Sequence, residues 1–154
     1  MTRIIAGEAR GRTIKVPAEG TRPTADRARE GLFSSLTARW GFAGSSVLDL
    51  FAGSGALGLE AASRGADEAV LVESSADAVK IIRHNMGVVK HPGVRVQEMK
   101  VGTYLASAPR KHFDLVLADP PYAFDEVDAL IAAIEPVLTC LLYTSPSPRD
   151  KRQS

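Results

Sequence analysis

Cysteine, aromatics, histidine and long apolar runs are all scarce in this chain, and each shortage removes a class of protein. Cys140 is the only cysteine in 154 residues. No internal disulfide can form, which fits a reducing compartment. No segment reaches the ~18 consecutive apolar residues of a membrane-crossing helix. Arg3, Arg10 and Arg12 stand where a secretory signal needs an apolar core. A soluble, cytoplasmic protein without membrane contact is expected. His84, His91 and His112 are isolated and read as surface or packing residues. No cluster of His, Cys and carboxylates has ligand spacing, so no metal is expected. Net charge is only +1, and overall electrostatics therefore give no nucleic-acid signature. No internal repeat is present.

What remains is an ordinary globular composition, 45% hydrophobic and 24% charged. A single domain of this size buries about two-thirds of its unfolded surface. The charge is unevenly spread. The first forty residues hold eight basic and four acidic side chains, which leaves eleven against fourteen for the rest. A basic arm on a mildly acidic body follows. The arm's RNA-binding candidates are Arg3, Arg10, Arg12, Lys15, Arg22 and Arg27, whose cations suit phosphates. It lacks interleaved aromatics, and Arg22 and Arg27 could instead form structural ion pairs.

Arg3–Ala6 and Arg12–Val16 read as two extended pieces with Gly7 and Gly11 flanking a polar connection, a hairpin pattern. A helix is expected from Thr24, a cap with Asp26 in its first turn. It places Ala28, Leu32, Phe33 and Leu36 on one stripe and is ended by Gly41 and Gly44. From Val47 the rhythm alternates. Strands are expected at 47–51, 69–73, 94–98 and 113–118, with helices at about 56–64, 75–86, 102–107 and 126–135. Val79, Ile82 and Met86 face inward on the second of these helices, and Val127, Leu130, Ile131 and Ile134 on the last. That alternation implies an α/β fold with a parallel sheet and right-handed crossovers. The expected division is a hairpin arm over 1–23, a sheet domain over 24–140, and a disordered tail over 141–154. Tyr143 onward is polar and proline-broken, and the segment from about Leu141 resembles the adapter-derived ends of translated gene fragments. A truncated frame with a non-native tail is the expectation.

Two motifs carry chemistry. Asp49-Leu50-Phe51-Ala52-Gly53-Ser54-Gly55 ends the first sheet strand, and Gly53, Gly55 and Gly58 complete a glycine-loop spacing. Glu73 lies 20 residues after Gly53, where a carboxylate can accept ribose hydroxyls. The spacing alone leaves a nicotinamide dinucleotide, S-adenosylmethionine and a purely structural turn open. Asp49 tips the balance. A carboxylate near a helix N-terminus repels a pyrophosphate but favours the cationic amine and sulfonium of S-adenosylmethionine. The cofactor set is Asp49, Phe51, Ala52, Gly53, Ser54 and Gly55, with Glu73 and Ser74 from the next strand.

The second motif, Asp119-Pro120-Pro121-Tyr122, follows an apolar strand. Ligands of open α/β sheets bind at that edge. A base's exocyclic amine is a weak nucleophile because its lone pair is delocalised into the ring. The Asp119 carboxylate and Pro120 carbonyl can accept its two hydrogens and draw the nitrogen towards tetrahedral geometry. Prolines stiffen the carbonyl, and Tyr122 can stack on a base that has been extruded. A simple turn capped by Asp119 is the bland alternative. Guanine N2, adenine N6 in DNA or RNA, and a non-catalytic RNA-binding fragment all stay open on these residues.

Met1-Thr2-Arg3-Ile4-Ile5-Ala6-Gly7, Arg10-Gly11-Arg12 and the block Thr21-Arg22-Pro23-Thr24 through Leu32-Phe33, followed by the two motifs above, resemble bacterial 16S rRNA guanine-N2 methyltransferases of the RsmD family. The resemblance runs to about residue 138. It implies a Rossmann-like class I S-adenosylmethionine-dependent methyltransferase fold carrying an N-terminal basic hairpin. The substrate implied is 16S rRNA of the assembling small subunit, and the enzyme implied is a monomer. Asp49 and Gly53–Gly55 would then line the methionine end, Glu73 the ribose, and Asp119–Tyr122 the target base. Met99-Lys100-Val101 stand where the family often has an acidic or small residue near the adenine. The family's last three strands have no counterpart here, so the sheet is expected to be incomplete.

Overall fold

The computed structural model describes residues 1–17, 23–120 and 124–139, without the side chains of 23–26 and 124–125. The expectations for Arg22, Pro121, Tyr122, Cys140 and the tail 141–154, and for the caps Thr24 and Asp26, therefore lie outside the described residues. Thr2–Arg3 (β1) and Thr13–Ile14 (β2) pair antiparallel, as the hairpin pattern requires, although each strand is only two residues long. Pro23–Arg39 forms the long helix α1. Its stripe differs from the expected one. Phe33 is buried and Leu36 half-buried, but Ala28 and Leu32 are exposed. The buried line is Arg29–Phe33–Leu36, at helical spacing, because Arg29 turns inward. Its Nη2 donates to the Thr2 hydroxyl (3.1 Å) and the Arg3 carbonyl (2.9 Å). One helix face thus carries both core and hairpin contacts.

The alternating part yields β3 (Ser46–Leu50), α2 (Ala56–Ser63), β4 (Glu68–Glu73), α3 (Ala76–Val89), β5 (Val94–Glu98), α4 (Val101–Ser107), β6 (Leu115–Ala118) and α5 (Phe124–Ile134), with a closing turn at Glu135–Val137. Strand ends fall within two residues of expectation. Helix α3 runs three residues further than expected and is closed by Lys90, whose left-handed backbone returns its N–H to Met86. Ser75 caps the other end by accepting from Ala78 (3.3 Å). Among the described residues no helix is long and apolar enough to cross a membrane.

The four parallel strands lie in the order β5-β4-β3-β6. The chain builds outward from β3 to β5, then returns to the other side of β3 as β6. Strand order therefore reverses between β3 and β6, and the crevice at a sheet's carboxyl edge opens at such a reversal. The period-2 geometry of strands divides the core. Leu48, Leu50, Val70 and Val72 pack with Val101, Phe113, Leu130 and Val137 on one face. Ala69 and Leu71 meet Leu59, Ala62, Ile82 and Val89 on the other, together with Ile4, Ala9 and Ile14 of the hairpin. On α5, Leu130 is buried and Val127 and Ile134 half-buried, but Ile131 is 44% exposed. The 127–130–134 line is the inward one, and residue 131 lies to its side.

The hairpin is fastened by α2. Glu60 is fully buried and accepts from the amides of Ile5 (2.9 Å) and Ala6 (3.1 Å) and from Arg64 Nε (2.9 Å). Ser63 donates to the Ala6 carbonyl and accepts from the Ala9 amide. Gly7, at φ +89°, sits so close that a Cβ would lie 1.8 Å from the Ser63 carbonyl oxygen. Only glycine can occupy that turn.

Candidate active site

Asp49 lies inside β3, 1% exposed, on the strand face that meets α2. Its Oδ2 accepts the Gly58 amide at 2.9 Å, which ties β3 to the first turn of α2. A Cβ on Gly58 would stand 3.1 Å from that oxygen and from Leu71 Cγ. The third glycine of the spacing thus serves helix-to-strand contact. Asp49 Oδ1 is buried and has no hydrogen-bond partner among the described residues. Burial pushes the Asp49 carboxyl up to about 7. The Gly58 hydrogen bond opposes this, and the charges of Glu73 and Asp119 add to it.

The loop itself is held in an uncommon conformation. Phe51 has φ +58°, Gly53 +60° and Gly55 +83°. A left-handed, non-glycine Phe51 costs about 1–3 kcal/mol and persists only where its surroundings hold it there. Those restraints are visible. The Ala52 amide donates to Val72 (3.0 Å), the Gly55 amide to Ala52 (2.8 Å), and the Gly53 amide to Glu73 Oε1 (2.8 Å). Glu73 Oε2 accepts the Ser75 amide at 2.9 Å. Glu73 is therefore fixed in aim, and each of its oxygens keeps a further lone pair for a ligand hydroxyl.

Beside Glu73 opens a cleft of about 540 Å³ lined by Phe51, Val72, Glu73, Ser74 and the run Lys100–Thr103. This size suits a nucleoside-scale ligand. Of the expected cofactor residues, Phe51, Glu73 and Ser74 line the cleft. Ala52, Gly53, Ser54 and Gly55 form the adjoining loop, and Asp49 lies beneath it. The sequence flags the Lys100–Thr103 wall only at its start, through Met99–Val101. Its position after β5, at the carboxyl edge, is the signal that finds the remainder. Asp119 and Pro120 follow β6, exposed and half-buried respectively. Because β6 pairs with β3, with Leu50 opposite Ala118, they stand beside the end of the glycine loop's strand. Among the described residues no group of three or more His, Cys, Asp or Glu could hold a metal.

An orphaned buried carboxylate oxygen, with two further carboxylates bearing on it, calls for positive charge. S-adenosylmethionine brings an amine and a sulfonium, and the residues present fit it. A pyrophosphate would add repulsion to the same edge.

The basic candidates separate. Arg3, Arg10, Lys15 and Arg27 are exposed. Arg12 is exposed as well, but it spends its Nη1 on the Val88 and Val89 carbonyls (both 3.1 Å), the last carbonyls of α3, where a cation complements the helix end. Two histidines are less isolated than their spacing suggests. His112 Nε2 lies 2.6 Å from Glu68 Oε1, and His91 Nδ1 accepts the Gly93 amide. Sequence separations of 44 residues, as between His112 and Glu68, carry no local signal.

Comparison with known proteins agrees with this architecture. The family model described as conserved hypothetical protein 95 matches residues 2–141. The chain is 39% identical over 134 residues to ribosomal RNA small subunit methyltransferase D of Escherichia coli K12, covering 86% of this chain and 66% of that protein. It is similar to the solved structure of a hypothetical protein from Thermus thermophilus, with 40% identity and TM-score 0.73, covering 86% of this chain and 78% of that one. The C-terminal domain of precorrin-6Y C5,15-methyltransferase from Rhodobacter capsulatus shares the fold at 21% identity and TM-score 0.61, covering 77% of this chain and 60% of that one. The fold is the class I methyltransferase fold, and the chain spans about two-thirds of the E. coli relative's length. With a family match over nearly its whole length, the chain belongs to the conserved hypothetical protein 95 family, the RsmD family of methyltransferases.

Proposed function

We propose that this chain uses S-adenosylmethionine to methylate the exocyclic N2 amine of a guanine in 16S ribosomal RNA. The observation that carries the reading is the buried, unpartnered Asp49 Oδ1 beneath a glycine loop, at an edge where Glu73 and Asp119 add negative charge. A cationic methyl donor relieves that edge, and Asp49 would face its charged end while Glu73 accepts the ribose hydroxyls. The cofactor supplies an electrophilic methyl on a sulfonium. The protein's part is positioning and electrostatics. Asp119 and the Pro120 carbonyl would accept the two amine hydrogens, leaving the nitrogen lone pair free to attack. Asp119 would take the proton released as the new N–C bond forms and the methyl–sulfur bond breaks, with S-adenosylhomocysteine leaving. Pro121 and Tyr122 complete the motif, with Tyr122 as stacking platform. The relatives' name as small-subunit rRNA methyltransferases supports the RNA class. Arg3, Arg10, Lys15, Arg22 and Arg27 are the proposed phosphate contacts. Arg12 contributes less to RNA because its guanidinium is engaged by α3.

Titration of the 154-residue chain with S-adenosylhomocysteine, with NADH as control, tests the cofactor assignment. Saturable binding of the former alone is expected. Asp119→Ala should abolish transfer with little change in that affinity, and retained turnover would rule out the amine-orienting role. Nucleoside analysis of methylated RNA should give N2-methylguanosine, whereas N6-methyladenosine would replace this substrate reading with the adenine one.

A further inference from the structure

Asn85 is fully buried on α3, in the midst of the otherwise apolar Val79–Ile82–Val89 face. A carboxamide in a core costs several kcal/mol unless its groups are paired, and this one is paired at three points. Its Oδ1 accepts the Lys15 amide (2.8 Å), and its Nδ2 donates to the Lys15 carbonyl (2.8 Å) and the Ser54 carbonyl (2.9 Å). The orientation is unambiguous, since a backbone N–H needs the oxygen and two carbonyls need the nitrogen. Lys15 leads out of the basic hairpin, and Ser54 sits between Gly53 and Gly55 of the cofactor loop. The side chain thus grips the hairpin as a neighbouring strand would and holds the loop with its remaining hydrogen.

Nearby contacts do not duplicate this bridge. Arg12 fastens the hairpin to the carboxyl end of α3, and Glu60 and Ser63 fasten it to α2. Asn85 reaches both the hairpin and the glycine loop. We propose that Asn85 is a positioning residue that couples the cofactor loop to the RNA-binding hairpin. Fixing the Ser54 carbonyl by a bound cofactor then fixes the Lys15 backbone, and RNA held on the arm steadies the loop in return. Such coupling is reciprocal for binding free energies. The proposal rests on the cofactor and RNA assignments above.

Backbone hydrogen exchange of the full chain, with and without saturating S-adenosylhomocysteine, is the test. In the wild type the ligand should slow exchange at the Lys15 amide by about fivefold or more, in the usual range of coupling between sites, as well as at Gly53 and Gly55. In Asn85→Ala the loop amides should still respond and Lys15 should not. Slow exchange at Val70 and Leu71 of β4 reports that the variant remains folded. Asn85→Asp offers a second variant, because its carboxylate can accept from Lys15 but no longer donates to both carbonyls. An unchanged Lys15 amide in the liganded wild type, or a response that survives in a folded Asn85 variant, overturns the proposal. Absence of any binding by the wild type strikes the cofactor assignment first and takes the coupling with it.

Discussion

Two buried carboxylates sit on adjacent elements of this molecule, and they are treated in opposite ways. Glu60 on α2 is fully buried and accepts from two backbone amides and one guanidinium. Arg64, its partner, is itself held by the Phe33 carbonyl and the Thr37 hydroxyl and stacks 5.3 Å over the Phe33 ring. Asp49 on β3 is equally hidden, yet it accepts one amide and leaves one oxygen without a partner among the described residues. Buried polar groups in folded proteins are almost always satisfied. Glu60 obeys that rule because it is structural, joining hairpin to helix. Asp49 breaks it at the edge where strand order reverses, and the charge that would satisfy it is one a ligand can bring.

Loss of Glu60 should have the largest effect. Glu60→Ala strands two amides and a buried guanidinium, and removing one member of such a pair costs about 3–5 kcal/mol. Denaturant unfolding should show that loss, together with faster exchange at Ile5 and Ala6. Wild-type stability would mean that the hairpin's apolar contacts alone hold it.

Asp49 should behave in the opposite sense. Its carboxyl is pushed up from 3.8 to about 7 in the folded chain. Between those values the folded state holds a proton that the unfolded state has lost. Stability therefore falls as pH rises through that window, by at most about 1.4 kcal/mol per pH unit, and levels off above it. Asp49→Asn keeps an acceptor for Gly58 and removes the titration. The variant should show a flatter stability profile between those two values and exceed the wild type above them, while binding S-adenosylmethionine more weakly. A parallel profile for wild type and variant would remove the charge argument. In the wild type, affinity for that cation should rise as pH passes upward through the Asp49 titration, measured by calorimetry at constant ionic strength.

The smallest effect belongs to the exposed arm. Arg10→Ala should leave stability within about 0.5 kcal/mol, as surface changes usually do. It should reduce the slope of log affinity for RNA against log salt by about 1. Arg12→Ala should act instead through α3 and lower stability. Equal salt slopes for both variants would erase the distinction drawn from their contacts.

Much of this is legible along the chain. The strand–helix alternation, the glycine loop, Glu73 at the end of the following strand and Asp119 at the end of β6 all follow from local spacing. Hydrophobic periods of 2 and 3.6 are short-range properties. Apolar stripes mislead where a polar residue competes for the inward position, as Arg29 does beside Ala28 and Leu32. They mislead again where a helix face is narrower than its apolar residues, as at Ile131. The cleft wall Lys100–Thr103 is only partly legible. Its residues are not chemically distinctive, and their place beside β4 is set by the packing of α4.

Local spacing along the chain settles which segments become strands and helices and which loops carry glycines and carboxylates. Those choices follow from side-chain period, backbone freedom and the position of a motif after an apolar run. Tertiary structure decided the partners. It set β6 against β3, satisfied Glu60 while orphaning Asp49 Oδ1, tied the exposed Arg12 to the end of α3, and placed Asn85 between Lys15 and Ser54. The hydrogen bonds of Glu60 to Ile5, Arg12 to Val89, and Asn85 to Lys15 and Ser54 join residues 31 to 77 positions apart. At such separations partners are chosen by how helices and strands pack, because local rules reach only about one turn or one strand pair.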